Sequence, residues 1–204
     1  MRSIISTIIA LLICMATIAQ TKLSLLDGTQ YNVKEYSFFN DNGSSMEIKL
    51  EKKNGKLKTK FIDLNEIWSV GDSILYIPTQ EGEYSVEDMR SVVLGKQNAK
   101  REFKAWWACA SGFAVGAGSM LYFYGRLRRP MIGLAVPIAY ATGISFTRPT
   151  KKGIAKRYPE YKDNEYFVYG YQNKGNRKIF TNTIIGTLSG LLVGGLVSMA
   201  IPAK

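Results

Sequence analysis

The chain contains no histidine. That removes the only side chain whose ordinary charge change falls near neutral pH, along with the commonest general base and metal ligand. Cysteine is nearly absent as well: Cys14 and Cys109 are the two present, each inside an apolar run. Closed zinc sites of the Cys/His kind are excluded by ligand count. If the leader described below is removed, one cysteine remains and no intramolecular disulfide can form. Charge is also missing from long stretches. Residues 105–125, 130–147 and 180–203 carry none, although the 204-residue chain holds 27 Lys and Arg against 16 Asp and Glu, a net charge of +11. The polar residues 22–104 and these apolar runs divide the chain into a soluble part and a membrane part.

Residues 1–19 read as a signal peptide. Arg2 supplies a positive start, Ile4 to Met15 an apolar core, and Thr17-Ile18-Ala19 the small residues that a signal peptidase inspects. Cleavage after Ala19 leaves Gln20 as the new N-terminus. A lipoprotein would use Cys14 instead, but Ile13 stands where a small residue is needed. An uncleaved anchor is the other alternative, although the run is short of the roughly 20 residues that cross a bilayer. Each reading keeps Arg2 inside and exports the chain from residue 22.

Residues 20–84 carry strand and turn signals. Asp27-Gly28, the cluster Asn40 to Gly43, Asn54-Gly55 and Gly71-Asp72 are turns, and Met46 to Leu50 alternates apolar and charged side chains. Asn-Gly suits the positive φ angles of a two-residue hairpin. The spacing predicts about five short strands and a mainly β domain, a small curled sheet or SH3-like barrel. Its carboxylates, among them Asp63, Glu66, Asp72, Glu81, Glu83, Glu87 and Asp88, show no spacing that singles out an acid/base pair.

From 85 to 104 the period becomes helical, with Val86, Met89, Val92 and Val93 on one face and Ser85 as N-cap. Lys96, Lys100, Arg101 and Lys104 make the approach to the next segment basic. Residues 105–125 are expected to form a first transmembrane helix, with Trp106 and Trp107 at one interface and Tyr122 and Tyr124 at the other. Residues 130–147, interrupted by Pro137, are a second candidate, and 180–203 a third. Small residues recur every fourth position in each: Ala108, Gly112 and Gly116; Ala135, Ala139 and Gly143; Gly186, Gly190 and Gly194. Such stripes let backbones approach closely, so they are expected to pack the helices together or to drive self-association.

The intervening residues 148–179 mix cations with aromatics. Pro149 and Pro159 predict an irregular first half, and Asp163 is a candidate cap for a helix entering the third run. Lys151, Lys152, Lys156, Arg157, Arg177 and Lys178 are candidate contacts for anionic lipid headgroups. Nucleic acid, the other partner of basic aromatic segments, is not expected on an exported chain. Three spans place this loop outside, against the positive-inside tendency. Two spans, with 130–147 re-entrant, place it in the cytoplasm. The stripe Ala135, Ala139 and Gly143, which suggests a packed helix, favours three.

The stretch Arg129-Pro130-Met131-Ile132-Gly133-Leu134-Ala135, then Thr147-Arg148-Pro149, then Asn164-Glu165-Tyr166 and Tyr169-Gly170-Tyr171 before a basic run and Gly-rich tail, resembles a group of uncharacterised envelope proteins of Bacteroidota. The resemblance implies a leader, a small β domain and a membrane region, and carries no activity or site residue.

The function expected from the residues is a non-enzymatic integral membrane protein of the cell envelope, in the inner membrane with its N-terminal domain in the periplasm. The β domain would bind an envelope protein, and the helices would anchor in the lipid bilayer and self-associate as a homo-oligomer. The alternative is an accessory subunit of a transport or secretion complex. No cofactor, metal or nucleic-acid partner is expected.

Overall fold

The computed structural model describes residues 21–39, 45–51, 54–78, 83–127 and 129–200. The leader, Cys14 and the turn cluster Asn40 to Gly43 lie outside the described residues. The chain divides into two compact units, residues 1–86 and 87–204.

The first unit is built from β1 (Thr21–Leu25), β2 (Gln30–Val33), β3 (Glu35–Phe39), β4 (Ser45–Glu51), β5 (Leu57–Asp63), β6 (Ile67–Val70) and β7 (Ser73–Ile74). They form two antiparallel sheets, ordered β2-β1-β6-β7 and β3-β4-β5. The chain changes sheets at Lys34, whose N–H donates to Lys49 O (3.0 Å). Gly28 and Gly71 take φ values of 80° and 58° in the turns after β1 and β6, where a side chain would be strained. The β4–β5 ladder closes on Glu51 opposite Leu57, so residues 52–56 connect the strands, a longer turn than the two-residue hairpin that Asn54-Gly55 suggests. Alternation places Leu23, Leu25, Val33, Met46, Ile48, Ile62, Ile67 and Val70 in one buried cluster. Burying each such side chain stabilises the unit by about 1.5–3 kcal/mol before chain entropy is counted.

The second unit is helical: α1 (Val86–Glu102), α2 (Trp106–Ser119) running on as a π-helix over Met120–Arg126, α3 (Pro130–Ile144), α4 (Lys151–Arg157), a 3-10 turn at Pro159–Tyr161, and α5 (Glu165–Ala200).

The expected fold is therefore corrected on two counts. Helix outweighs strand among the described residues, so the chain is not mainly β, and the sheets do not close into a barrel. The first sheet ends on short strands, β2 of four residues and β7 of two, and the β1–β6 register shifts at Ser24/Leu25. In place of two to three transmembrane helices, one helix among the described residues, α5, is long and apolar enough to cross a membrane. Residues 105–125 spend only 14 residues in regular α-helix before opening into the π-helix, and α3 has 15. Both fall below the roughly 20 that a straight span needs.

Two local expectations also change. Residues 151–157, expected to be irregular, form α4. Thr150 caps α4, its hydroxyl accepting from Gly153 N (3.2 Å), and Pro149 stands just outside the helix, where it costs no hydrogen bond. Asn164, not Asp163, caps α5. Its Oδ1 accepts from Phe167 N (2.9 Å) and its Nδ2 donates to Ser91 Oγ on α1 (3.2 Å). An N-cap side chain reaches the N–H three residues on, and only Asn164 has that spacing here.

Candidate functional site

The seam between α2 and α5 is the most closely packed feature of the helical unit. Gly186, Gly190 and Gly194 of α5 lie against the backbone of Cys109, Phe113 and Ala117, while Gly112 and Gly116 of α2 lie against Thr183 and Thr187. A Cβ added at Gly112 would stand 2.6 Å from Thr183 O, and one at Gly194 would stand 2.7 Å from Ala117 O. Residue numbers rise together on the two helices, so α2 and α5 run parallel. Ala108 completes the stripe on α2 and is fully buried. The spacing of four works because i, i+4 rows form ridges along a helix. When those positions lack side chains the ridge becomes a groove, and two backbones meet.

The third stripe behaves differently. Ala135, Ala139 and Gly143 of α3 are exposed, and a Cβ on Gly143 would meet nothing within 4 Å. α3 touches its neighbours through Gly133, beside Met120, and through hydroxyls. Ser119 Oγ donates to Gly133 O (2.9 Å), and Tyr140 donates to Ser111 Oγ (2.7 Å).

The same row on α5 continues toward its N-terminus. Four-residue steps back from Gly186 reach Asn182, Lys178, Lys174 and Gly170. Gly170 lies against Val92 O of α1, and Gly95 of α1 against Phe167 O. Gly175, beside that row, holds the ring of Pro149. Between the two glycine contacts, polar side chains of α5 satisfy the ends of neighbouring helices. Lys178 Nζ donates to the carbonyls of Ala99 (3.2 Å), Lys100 and Phe103 (2.9 Å) at the end of α1. Asn182 donates to Ala105 O (3.0 Å) before α2. Asn176 donates to Ser145 O (2.6 Å) and Thr147 O (2.7 Å) after α3, and Gln172 to Pro149 O (2.8 Å). Helix ends leave carbonyls without intrahelical partners. One polar belt, residues 172–182, supplies partners to three segments at once. Gly95, Gly133, Gly170 and Gly175 were not identified from the sequence as packing positions; for Gly170 the four-residue spacing from Gly186 was the available signal.

The headgroup candidates scatter. Lys151, Lys152 and Lys156 are exposed on α4, and Arg177 is exposed on α5. Arg157 Nη1 lies 3.5 Å from Tyr171 Oη. Lys178 is committed to the carbonyls of α1 and does not face outward as expected. The aromatics of this segment divide too. Tyr158, Phe167 and Tyr171 are buried together with Ile154 and Ala99, with Tyr161 stacked on Phe167 at 4.3 Å between centroids. They form a small core, and only Tyr166 and Tyr169 stay exposed as interfacial tyrosines would. Tyr158 donates to Glu102 Oε2 (2.5 Å). That bond, helped by Arg101, holds the Glu102 carboxyl below the usual range. Burial, followed by the bond to Glu102, pushes the Tyr158 hydroxyl well above its ordinary value. The interfacial candidates Trp106 and Tyr122 are exposed, at 72% and 52%; Trp107 is exposed and Tyr124 half-buried.

Among the described residues no group of three His, Cys, Asp or Glu side chains is placed to hold a metal ion. No family model, curated protein or solved structure matches this chain.

Proposed function

We propose that the chain is a non-enzymatic, membrane-anchored protein of the bacterial envelope, whose exported β unit binds another envelope protein and whose helical unit holds it in the bilayer. One observation carries the anchoring. From Ile179 to Ala200 the buried residues of α5 are Ile179, Thr183, Gly186, Thr187, Gly190, Gly194, Gly195 and Ser198, whereas Leu192, Leu196 and Met199 are 71%, 69% and 71% exposed. A helix in water places its large apolar side chains inward. This one turns glycine and hydroxyls inward and leucine outward, which suits hydrocarbon, where lipid replaces the core and helices associate through small residues. Two of the buried hydroxyls bond within their own helix, Ser198 Oγ donating to Gly194 O (2.7 Å) and Thr183 Oγ1 to Ile179 O (2.9 Å), while Thr187 Oγ1 has no partner among the described residues. Residues 179–200 span about 33 Å at 1.5 Å per residue, close to the roughly 30 Å of a hydrocarbon core.

Since the α2 and α5 stripes face one another within one chain, they support anchoring rather than self-association. The leader pattern supports export, and the resemblance to Bacteroidota envelope proteins supports the setting. The test is fractionation of the full chain expressed in a Gram-negative host. Resistance to alkaline carbonate, with the β unit open to protease added from the periplasmic side, is expected. Recovery in the soluble fraction would sink the reading.

A further inference from the structure

The geometry points to a surface for anionic phospholipid headgroups at one level of α5, with Lys104, Arg148 and Arg177 placed on different sides of that helix. It rests on the membrane reading and names the chemistry that the membrane supplies. The hydrogen bonds of the polar belt fix the level of all three cations along α5. Lys104 stands between Phe103, whose carbonyl accepts from Lys178, and Ala105, whose carbonyl accepts from Asn182. Arg148 stands between Thr147, bonded to Asn176, and Pro149, bonded to Gln172. Arg177 lies on α5 itself, two residues before the charge-free half begins at Ile179. All three are exposed, and none forms an ion pair with a carboxylate among the described residues.

The apolar neighbours at this level are exposed as well: Trp106 at 72% and Phe146 at 79%. Aromatics that edge a charge-free helix mark the boundary between hydrocarbon and headgroups. Cations at that boundary meet phosphate oxygens without leaving water altogether, and long Lys and Arg stems let the charge reach the headgroup layer. By contrast, Lys151, Lys152 and Lys156 follow Pro149, on the side of the belt away from the charge-free half, and Lys178 is spent on carbonyls. The belt cations, rather than the α4 lysines, are the ones placed at phosphate level. The preference is electrostatic, so it takes anionic headgroups over zwitterionic ones and weakens with salt.

The experiment uses the full chain in nanodiscs of phosphatidylcholine doped with phosphatidylglycerol, with the lipids retained on the protein counted by native mass spectrometry. Wild type is expected to retain phosphatidylglycerol above its bulk share, and raised salt should lower the excess. The triple variant Lys104→Gln, Arg148→Gln, Arg177→Gln is expected to lose most of it, at up to about five-fold per cation. Triple replacement of Lys151, Lys152 and Lys156 by Gln should change it little, and Lys22→Gln with Lys58→Gln on the β unit should not change it. An unchanged circular dichroism spectrum confirms folding, and since these side chains are exposed and unpaired none should be lost. Equal retention of both lipids by wild type, or loss of the excess with the α4 variant in place of the belt variant, overturns the headgroup surface while leaving anchoring intact. Failure of wild type to enter nanodiscs at all sinks the anchoring reading itself.

Discussion

The two units bury opposite kinds of residue. In the β unit, Leu23, Met46, Ile48 and Ile67 are 0–1% exposed, while lysines and glutamates of the same strands face out and pair, as Lys49 does with Glu35 (2.9 Å). In the outer half of α5 the buried positions are glycine, serine and threonine, and leucine, valine and methionine face out. The first arrangement is what removal of apolar surface from water produces. In the second, close backbone contact replaces apolar burial, the arrangement expected if hydrocarbon surrounds this half of α5, as proposed above. One chain therefore follows two rules, and the boundary between them is the polar belt at residues 172–182.

Substitutions can break or sharpen that contrast. The largest effect is expected in the β unit: Ile48→Ala opens a cavity and should cost about 2–5 kcal/mol, read by hydrogen exchange at the β4 amides. In the helical unit the opposite change does the damage. Gly186→Leu drives a side chain into the Cys109 backbone, which cannot rotate away, and should cost about 3 kcal/mol or more, read as a loss of thermal stability in detergent. Its matched control, Ala139→Leu on the exposed stripe of α3, should leave the melting temperature unchanged. Equal sensitivity at both positions would remove the distinction between the two stripes.

Lys178→Met keeps the stem but strips the α1 carbonyls of their donor, at about 1.5–3 kcal/mol for a charged hydrogen bond, read by denaturation in detergent. Asn164→Ala removes the α5 cap and should cost about 1 kcal/mol, with faster exchange at the Phe167 amide as its signature. The smallest effect belongs to Tyr158→Phe and is one of pH. The Tyr158 hydroxyl titrates above its ordinary value in the folded chain, so its contribution is complete below the unfolded tyrosine value and is lost as pH rises beyond it. Glu102 is shifted the other way, and its contribution is lost as pH falls through its lowered folded value. Stability of the variant should fall less on both flanks than that of wild type, measured by melting temperature against pH.

Much of this was legible in the residues. The turns at Asp27-Gly28 and Gly71-Asp72, the alternation of Met46 to Leu50 and the helical spacing of Val92 and Val93 are local patterns, and local sterics and amphipathicity act on them directly. The stripes of α2 and α5 were visible for the same reason. What the residues did not show is which stripe meets which. Ala135, Ala139 and Gly143 have the same spacing as Gly186, Gly190 and Gly194, yet face outward, because spacing specifies a flat face and not the partner that covers it. Nor was the Tyr158 cluster legible, since cations at Lys156, Arg157 and Lys162 make that segment look wholly solvated.

The sequence by itself determined where charge is absent, where strands turn and where helices can touch closely, since each depends on residues only a few positions apart. The tertiary structure alone decided that the strands form two open sheets, that Lys178 faces carbonyls instead of phosphate, and that α1 and α2 pack in turn along one helix. Those outcomes join groups as many as 79 positions apart in the chain, such as Lys178 and Ala99. Only packing brings such groups together, and only then can an orphaned carbonyl claim the donor that a lone sequence would assign to solvent.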